Sequence, residues 1–344
     1  MQENCLPKKW DIIIFNNQIM SLDNTQSNIF IKNELLFSSE FALQGFDKMP
    51  FSKIIYLRGS FGKTILFQNN TFEIIDELIL EKEKEFLIVL KKVDSVSNIF
   101  LLDQNLLPIW TINFGSSLLE RTADLILTTK YESKHKYFGA INIKTGKLLY
   151  KINVEVISNN KKEKINNIFL LGNDKIYLSL KYGGLILVNI YTGEKINQLS
   201  SDAFSFNPRI AAPFKSVYFK VDNLNNILLH PFFKVLKNGA IIKNEIVLDY
   251  LESLNCQINS AIPFCYSEMH LIFVALKREL EGDLNIDLNV LIVYNRINKH
   301  LSHRIIEMNQ NEQRLIKKIL CTNQNIFLLD YHNFVHKYPI EQNF

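Results

Sequence analysis

The sequence has little glycine or proline, 12 and 8 among 344 residues, and both are scattered. No low-complexity linker therefore marks a boundary, and a single domain over residues 1–344 is expected. Cysteine is scarce as well: Cys5, Cys256, Cys265 and Cys321 show no CxxC spacing. The start, MQENCLPKKWDIIIFNN, offers only the four apolar residues 12–15 before Asn16 and Asn17. That is too short for a secretory h-region, so a cytoplasmic protein with free thiols is expected. Cys256 and Cys265 lack a nearby histidine and read as buried thiols. No run approaches the roughly 18 apolar residues that span a bilayer, which argues against membrane insertion.

Catalytic signatures are missing too. There is no glycine-rich phosphate loop, no GxSxG elbow and no HExxH pair. Lys181-Tyr182-Gly183-Gly184 lacks a following helix and reads as a hairpin turn. Charge of one sign is not in excess: 39 basic and 35 acidic residues leave +4, a mixed surface without the basic face of a nucleic-acid binder. The longest basic cluster, Lys161, Lys162 and Lys164 beside Asn159 and Asn160, fits a solvated loop.

What the chain does have is apolar residues, 47%, with 25 phenylalanines among them. Together with abundant Ile, Val and Tyr they favour strands. Residues 165–200 show the organisation best, reading as three consecutive strands. In 176–180 Ile, Leu and Leu alternate with Tyr and Ser, the period of a half-buried strand. Residues 185–190 are apolar almost throughout, as in a strand buried on both faces. After the turn Tyr191-Thr192-Gly193-Glu194, residues 195–199 return as a more polar strand. Such a meander cannot bury its own faces and needs copies of itself.

Copies are present. NIFIKNELLF at 28–37, NIFLLDQNLLPIW at 98–110 and NIFLLDYHNFVHKY at 325–338 share a strand, a polar turn and a second strand. GAINIKTGKLLYKI, from Gly139, matches GLILVNIYTGEKINQL, from Gly184, almost element for element. Turns fall at 33, 69, 104, 145, 192, 238, 297 and 332, a mean step of about 43 residues, the length of a four-stranded propeller blade. Residues 76–90 predict two strands around a charged tip at 81–85. The charged stretch 277–287 predicts an inter-strand loop, and a short helix is expected near 248–254. The predicted fold is all-β: one β-propeller of four-stranded antiparallel blades, seven or eight in number.

The units LLDQNLLPIW (101–110), AINIKTGKLLY (140–150) and LVNIYTGEKIN (187–197) resemble the repeat of the quinoprotein-like (PQQ-like) β-propellers. Asp103, Asn142 and Asn189 stand at the Asp/Asn position, Thr145-Gly146 and Thr192-Gly193 at the turn, and Trp110 and Tyr150 at the aromatic position. Asn197 falls where the third aromatic belongs. The resemblance covers roughly 98–200 and implies the ring fold. The superfamily's enzymes are usually exported and bind calcium and quinone, often beside a disulfide of adjacent cysteines. No export signal or adjacent cysteine pair is seen here.

Other chemistry reads as framework. Asp283, Asn285, Asp287 and Asn289 are spaced two apart, but Leu288 and Tyr294 stand where a helix–loop–helix calcium loop wants Gly and Glu. The alternation fits a strand. Asp330, His332 and His336 share parity, a common metal set, but a turn at 332–333 breaks that geometry. His300 and His303 read as surface histidines. No catalytic, cofactor or metal residue is assigned. A non-enzymatic, monomeric scaffold binding a protein partner through loops on one face is expected, for example a toxin-neutralising or assembly protein. The alternative is a composite catalytic or ligand site at the central channel, as in a glycan-processing propeller. Any such site is expected in loops 155–165, 201–215 or 277–288.

Overall fold

Strands that are apolar on both faces must be sandwiched between other sheets, and the chain satisfies this by closing a ring. Its computed structural model describes residues 5–6, 8–49, 52, 54–93, 96–116, 118–161, 163–182, 184–204, 219–222, 224, 226–257, 263–281, 284–306 and 316–340. These form eight antiparallel sheets of four strands, the blades of a β-propeller. The first strands, in blade order, are Lys9–Phe15, Leu43–Lys48, Ile79–Lys82, Leu119–Arg121, Ile165–Leu171, Lys220–Val221, Phe264–Tyr266 and Ile316–Cys321. Cys256–Gln257 extends the first position of blade 7 by pairing with the same second strand. First strands line the axis, and those of blades 1 and 2, 4 and 5, 5 and 6, 7 and 8, and 8 and 1 lie against each other. Fourth strands such as Glu34–Ser38 and Pro108–Ile112 lie at the rim with exposed side chains.

An apolar cluster fills every gap between neighbouring blades. In blade 4 the strand Leu125–Glu132 sends Ile126 towards Leu80 and Ile88 of blade 3. Leu125 and Leu127 face Ile176 and Ile186 of blade 5. Residues 165–200 are one complete blade, with Ile165–Leu171 as a further strand ahead of the three read from the sequence. Gly184–Asn189 is buried on both faces, as its composition predicted. Lys175–Leu180 was expected to be half-buried and is buried on both. Of Tyr177 and Ser179, the supposed wet face, Tyr177 packs into the gap before blade 6 and is only 1% exposed, and Ser179 is buried as well.

The Thr-Gly turns lock one blade to the next. Asn142 Oδ1 accepts from the Thr145 amide at 3.0 Å, and Gly146 follows at φ +66°, a conformation that costs glycine little. Trp110, on the fourth strand of blade 3, lies over this turn and donates Nε1–H to the Ile143 carbonyl at 2.7 Å. A Cβ on Gly146 would stand 2.7 Å from the indole. Tyr150 repeats this one blade on, over Gly193, donating to the Ile190 carbonyl at 2.9 Å. In the third copy Asn197 does stand over Gly239, but the hydrogen bond comes from elsewhere: Tyr177 donates to the Leu236 carbonyl at 2.8 Å.

Other expectations are met or corrected. Residues 76–90 form Ile79–Lys82 and Leu87–Val93 around a charged tip. The expected helix is α2, Glu245–Ser253, whose Val247, Leu248 and Leu251 fill the core beside the short strands of blade 6. The stretch 277–287 is not a loop: it belongs to two 12-residue strands, His270–Glu281 and Leu284–Asn295. Their alternation of polar and apolar residues continues the ladder. The turn at 332 also differs in rank. It joins the second and third strands of blade 8, Asn325–Asp330 and Val335–Pro339, whereas the other seven join third to fourth. The missing outer strand is Cys5–Leu6, with Cys5 opposite His336, so the two ends of the chain close the ring together.

Candidate functional site

Each blade runs outward as a meander, so all turns between second and third strands lie on one face of the ring, with the links to the next blade. On that face blades 2 to 5 present apolar side chains in succession. Phe61 sits at φ +62° in the turn Ser60–Gly62 of blade 2 and is 90% exposed. Val93 and Val96 flank the corresponding turn of blade 3, and Tyr131, 63% exposed, that of blade 4. A short helix, α1 (Val154–Ser158), follows blade 4 because Asn153 caps it, its Oδ1 accepting from the Glu155 and Val156 amides. Glu155 reaches His135 Nδ1 at 2.7 Å, which holds α1 beside the blade 4 hairpin and lifts Val156 to 68% exposure. Tyr182 continues the arc in blade 5.

Beside Tyr131 a cleft of about 520 Å³ opens between blades 4 and 5, with Lys136 and Lys164 on its walls. Burial, and then the like charge of Lys164, push the Lys136 ammonium down from its usual range. Glu163, buried beneath, accepts from the Lys164 and Tyr182 amides. The loop 155–165 contributes Val156 and Lys164 to this face. Of 201–215, residues 201–204 form a short helical turn and 205–215 lie outside the described residues.

The channel wall carries a second concentration of chemistry. Glu81, on the first strand of blade 3, is fully buried and accepts from the Ser52 amide at 2.8 Å. Glu120, on the first strand of blade 4, is pushed up to about 8 by burial and by the charge of Glu81. Arg121 next to it reaches Glu83 at 3.4 Å and lies over the Phe86 ring. Across the ring, Asp11 of blade 1 pairs with Lys318 of blade 8 at 3.0 Å. No local motif announces these groups, because Glu81 and Glu120 are separated in sequence by an entire blade.

The residues singled out from the sequence are mostly framework. Asp330 and His336 do meet, at 3.0 Å, but Asp330 Oδ1 is engaged by the His332 and Phe334 amides, so it braces the turn. The His332 ring is exposed. His300 is exposed, and His303 Nδ1 meets the Tyr250 hydroxyl of α2 at 2.8 Å. Cys256 and Cys265 are both buried, as predicted, but lie apart: Cys256 packs under α2, and Cys265 belongs to the cluster between blades 7 and 8, against which Cys321 packs. Lys161 and Lys164 are exposed and Lys162 lies outside the described residues. So do Asp283 and the side chains of Asn285 and Asp287; Asn289 is half-buried within its strand. Among the described residues no three His, Cys, Asp or Glu side chains gather to hold a metal. No helix there is long and apolar enough to cross a membrane.

No family model and no curated protein matches the sequence. Solved structures do resemble the fold. Sqt1 of Saccharomyces cerevisiae is similar with TM-score 0.57 at 9% identity, covering 99% of this chain and 100% of its own. BamB from Moraxella catarrhalis gives 0.52 at 11%, covering 99% and 98%. The computationally designed Ika8 protein gives 0.51 at 13%, covering 98% of both chains. At such identities the likeness concerns the fold.

Proposed function

We propose that this propeller is a non-enzymatic, monomeric platform that binds a protein partner in the cytoplasm through the face bearing Phe61, Tyr131, Val156 and Tyr182. The observation that carries the reading is the arc of exposed apolar side chains on four successive blades. Single exposed hydrophobics are ordinary, whereas a series on successive blades of one face, with ion pairs beside it, has the character of an interface. Lys130, Glu132 and Lys151 form an ion-paired rim beside Tyr131. A toxin-neutralising or assembly role is a version of this reading with one cognate partner. The test is co-purification of the tagged chain at native expression, compared with a Phe61→Asp/Tyr131→Asp variant. The partner is expected to follow the wild type and be lost from the variant at unchanged melting temperature. Recovery of a sugar or metal and no protein, or equal recovery by both chains, overturns the reading.

Glu120 favours a second reading, a composite hydrolytic site in the channel. A carboxyl group held protonated at neutral pH, with a second carboxyl nearby, is an arrangement that general acid catalysis uses. In that case wild type hydrolyses some member of a glycan panel and Glu120→Gln does not. A panel wholly inert to wild type removes this reading.

A further inference from the structure

We propose that the gap between blades 6 and 7 holds a binding site for a small phosphorylated ligand. A cavity of about 260 Å³ opens there, with Lys234 and Lys243 of blade 6 and Arg296 and Lys299 of blade 7 among its lining residues. No acidic side chain lines it: Glu245 and Glu268 neighbour lining residues in the chain, and neither is part of the wall. Among the described residues Lys234, Arg296 and Lys299 make no ion pair. Lysines elsewhere on the ring do find carboxylates, as Lys82, Lys91 and Lys151 show. Positive charge is therefore gathered at one concave place and left uncompensated there. This site belongs to blades 6 and 7 and the proposed partner face to blades 2 to 5, so either can fail without the other.

The guanidinium is held in place before any ligand arrives. It lies 4.0 Å from the centre of the Tyr266 ring, and Nη1 donates to the Ser267 and Glu268 carbonyls at 2.6 and 3.0 Å. Those acceptors are neutral, so they fix the group without cancelling its charge. The turn that carries Arg296 and Lys299 is braced by Asn295, whose Oδ1 accepts from the Ile297 and Asn298 amides at 3.0 and 3.3 Å. Asn244, which precedes the first turn of α2, also lines the cavity, and its side chain donates to the Pro231 carbonyl at 3.3 Å. The positive end of α2 thus adds to the same potential. A single carboxylate matches only one of these charges, whereas a phosphate group brings roughly two negative charges and three acceptor oxygens. A rigid arginine fork and flanking ammonium groups suit that geometry. Phe233 and Tyr294 supply apolar wall for the organic part of the ligand, and the volume, small for a ligand pocket, limits that part to a small molecule.

The test is thermal melting of the full chain titrated with sodium pyrophosphate and, separately, with inorganic phosphate, at an ionic strength held constant with sodium chloride. A saturable rise in melting temperature is expected with both, at lower concentration for pyrophosphate, and none with acetate. Lys234→Glu/Lys299→Glu replaces two exposed lysines and should weaken pyrophosphate binding about tenfold or more in isothermal titration calorimetry. Lys147→Glu/Lys161→Glu makes the same change of net charge at two exposed positions outside the cavity and should bind as wild type does. No saturable shift with either anion, an equal shift with acetate, or equal binding by the two variants would each overturn the proposal.

Discussion

Tyr177 shows how a single hydroxyl is drawn into the framework. On the sequence it belongs to the polar side of an alternating strand, yet blade 6 covers that side and the hydroxyl takes the Leu236 carbonyl. Tyr177→Phe removes one of the two donors to this carbonyl, the other being the Gly239 amide at 2.9 Å, and should cost about 1 kcal/mol in urea denaturation. Gly146→Ala should cost more, roughly 1–3 kcal/mol, because a positive φ and the indole of Trp110 both oppose a Cβ. His230 supplies a pH signature. Burial against Phe233 pushes its imidazole down to about 3. The folded chain thus keeps it neutral where the unfolded chain takes up a proton. Stability is full above about pH 6.5 and declines by about 1.4 kcal/mol per unit as pH falls towards 3. His230→Phe should flatten that acid limb in pH-dependent thermal melts.

At the scale of the element, local chemistry specified turns with little help from the fold. Asn69 and Asn70 take φ +52° and +62°, the left-handed pair that a two-residue hairpin needs and asparagine tolerates. Asp103 and Asp330 brace their turns in the same way, each Oδ1 accepting amides two and four residues on. Their sequences, NIFLLDQN and NIFLLDYH, are correspondingly alike. Yet one hairpin joins third to fourth strand and the other second to third. The resemblance identifies a hairpin and is silent on its rank in a blade. Helix α2 is the opposite case, held by its buried face and not by capping, since Asn244 makes no side-chain cap. Leu251→Ala should cost about 2–5 kcal/mol in equilibrium unfolding, as burial in the core of blades 5 to 7 implies.

For the whole molecule the decisive contact is closure. Cys5 and Leu6 complete blade 8, and the Lys9 amide donates to the Asn333 carbonyl at 2.8 Å, so a two-residue strand unites residues more than three hundred apart. Deleting residues 1–7 should lower the melting temperature and promote association, read by light scattering, because the outer edge of Val335–Pro339 becomes an unpaired strand. Retention of the wild-type melting temperature would show that the ring closes without it.

Most strands, most turns and the repeat of about 43 residues were legible in the chain alone, because period-2 patterning, Asn and Gly turns and apolar runs act over a few neighbouring residues. From these follow an all-β ring and a blade count of seven or eight. The long strands through 277–287 and the rank of the turn at 332 were not legible there. The tertiary structure alone decided that there are eight, that Cys5–Leu6 fills the last one, and that Tyr177 does the work left undone by Asn197. It also decided where chemistry gathers. Glu81 and Glu120 stand on the first strands of adjacent blades, and Cys265 and Cys321 share the cluster between blades 7 and 8. Residues a whole repeat apart become neighbours only when the ring closes, so no local pattern could record them.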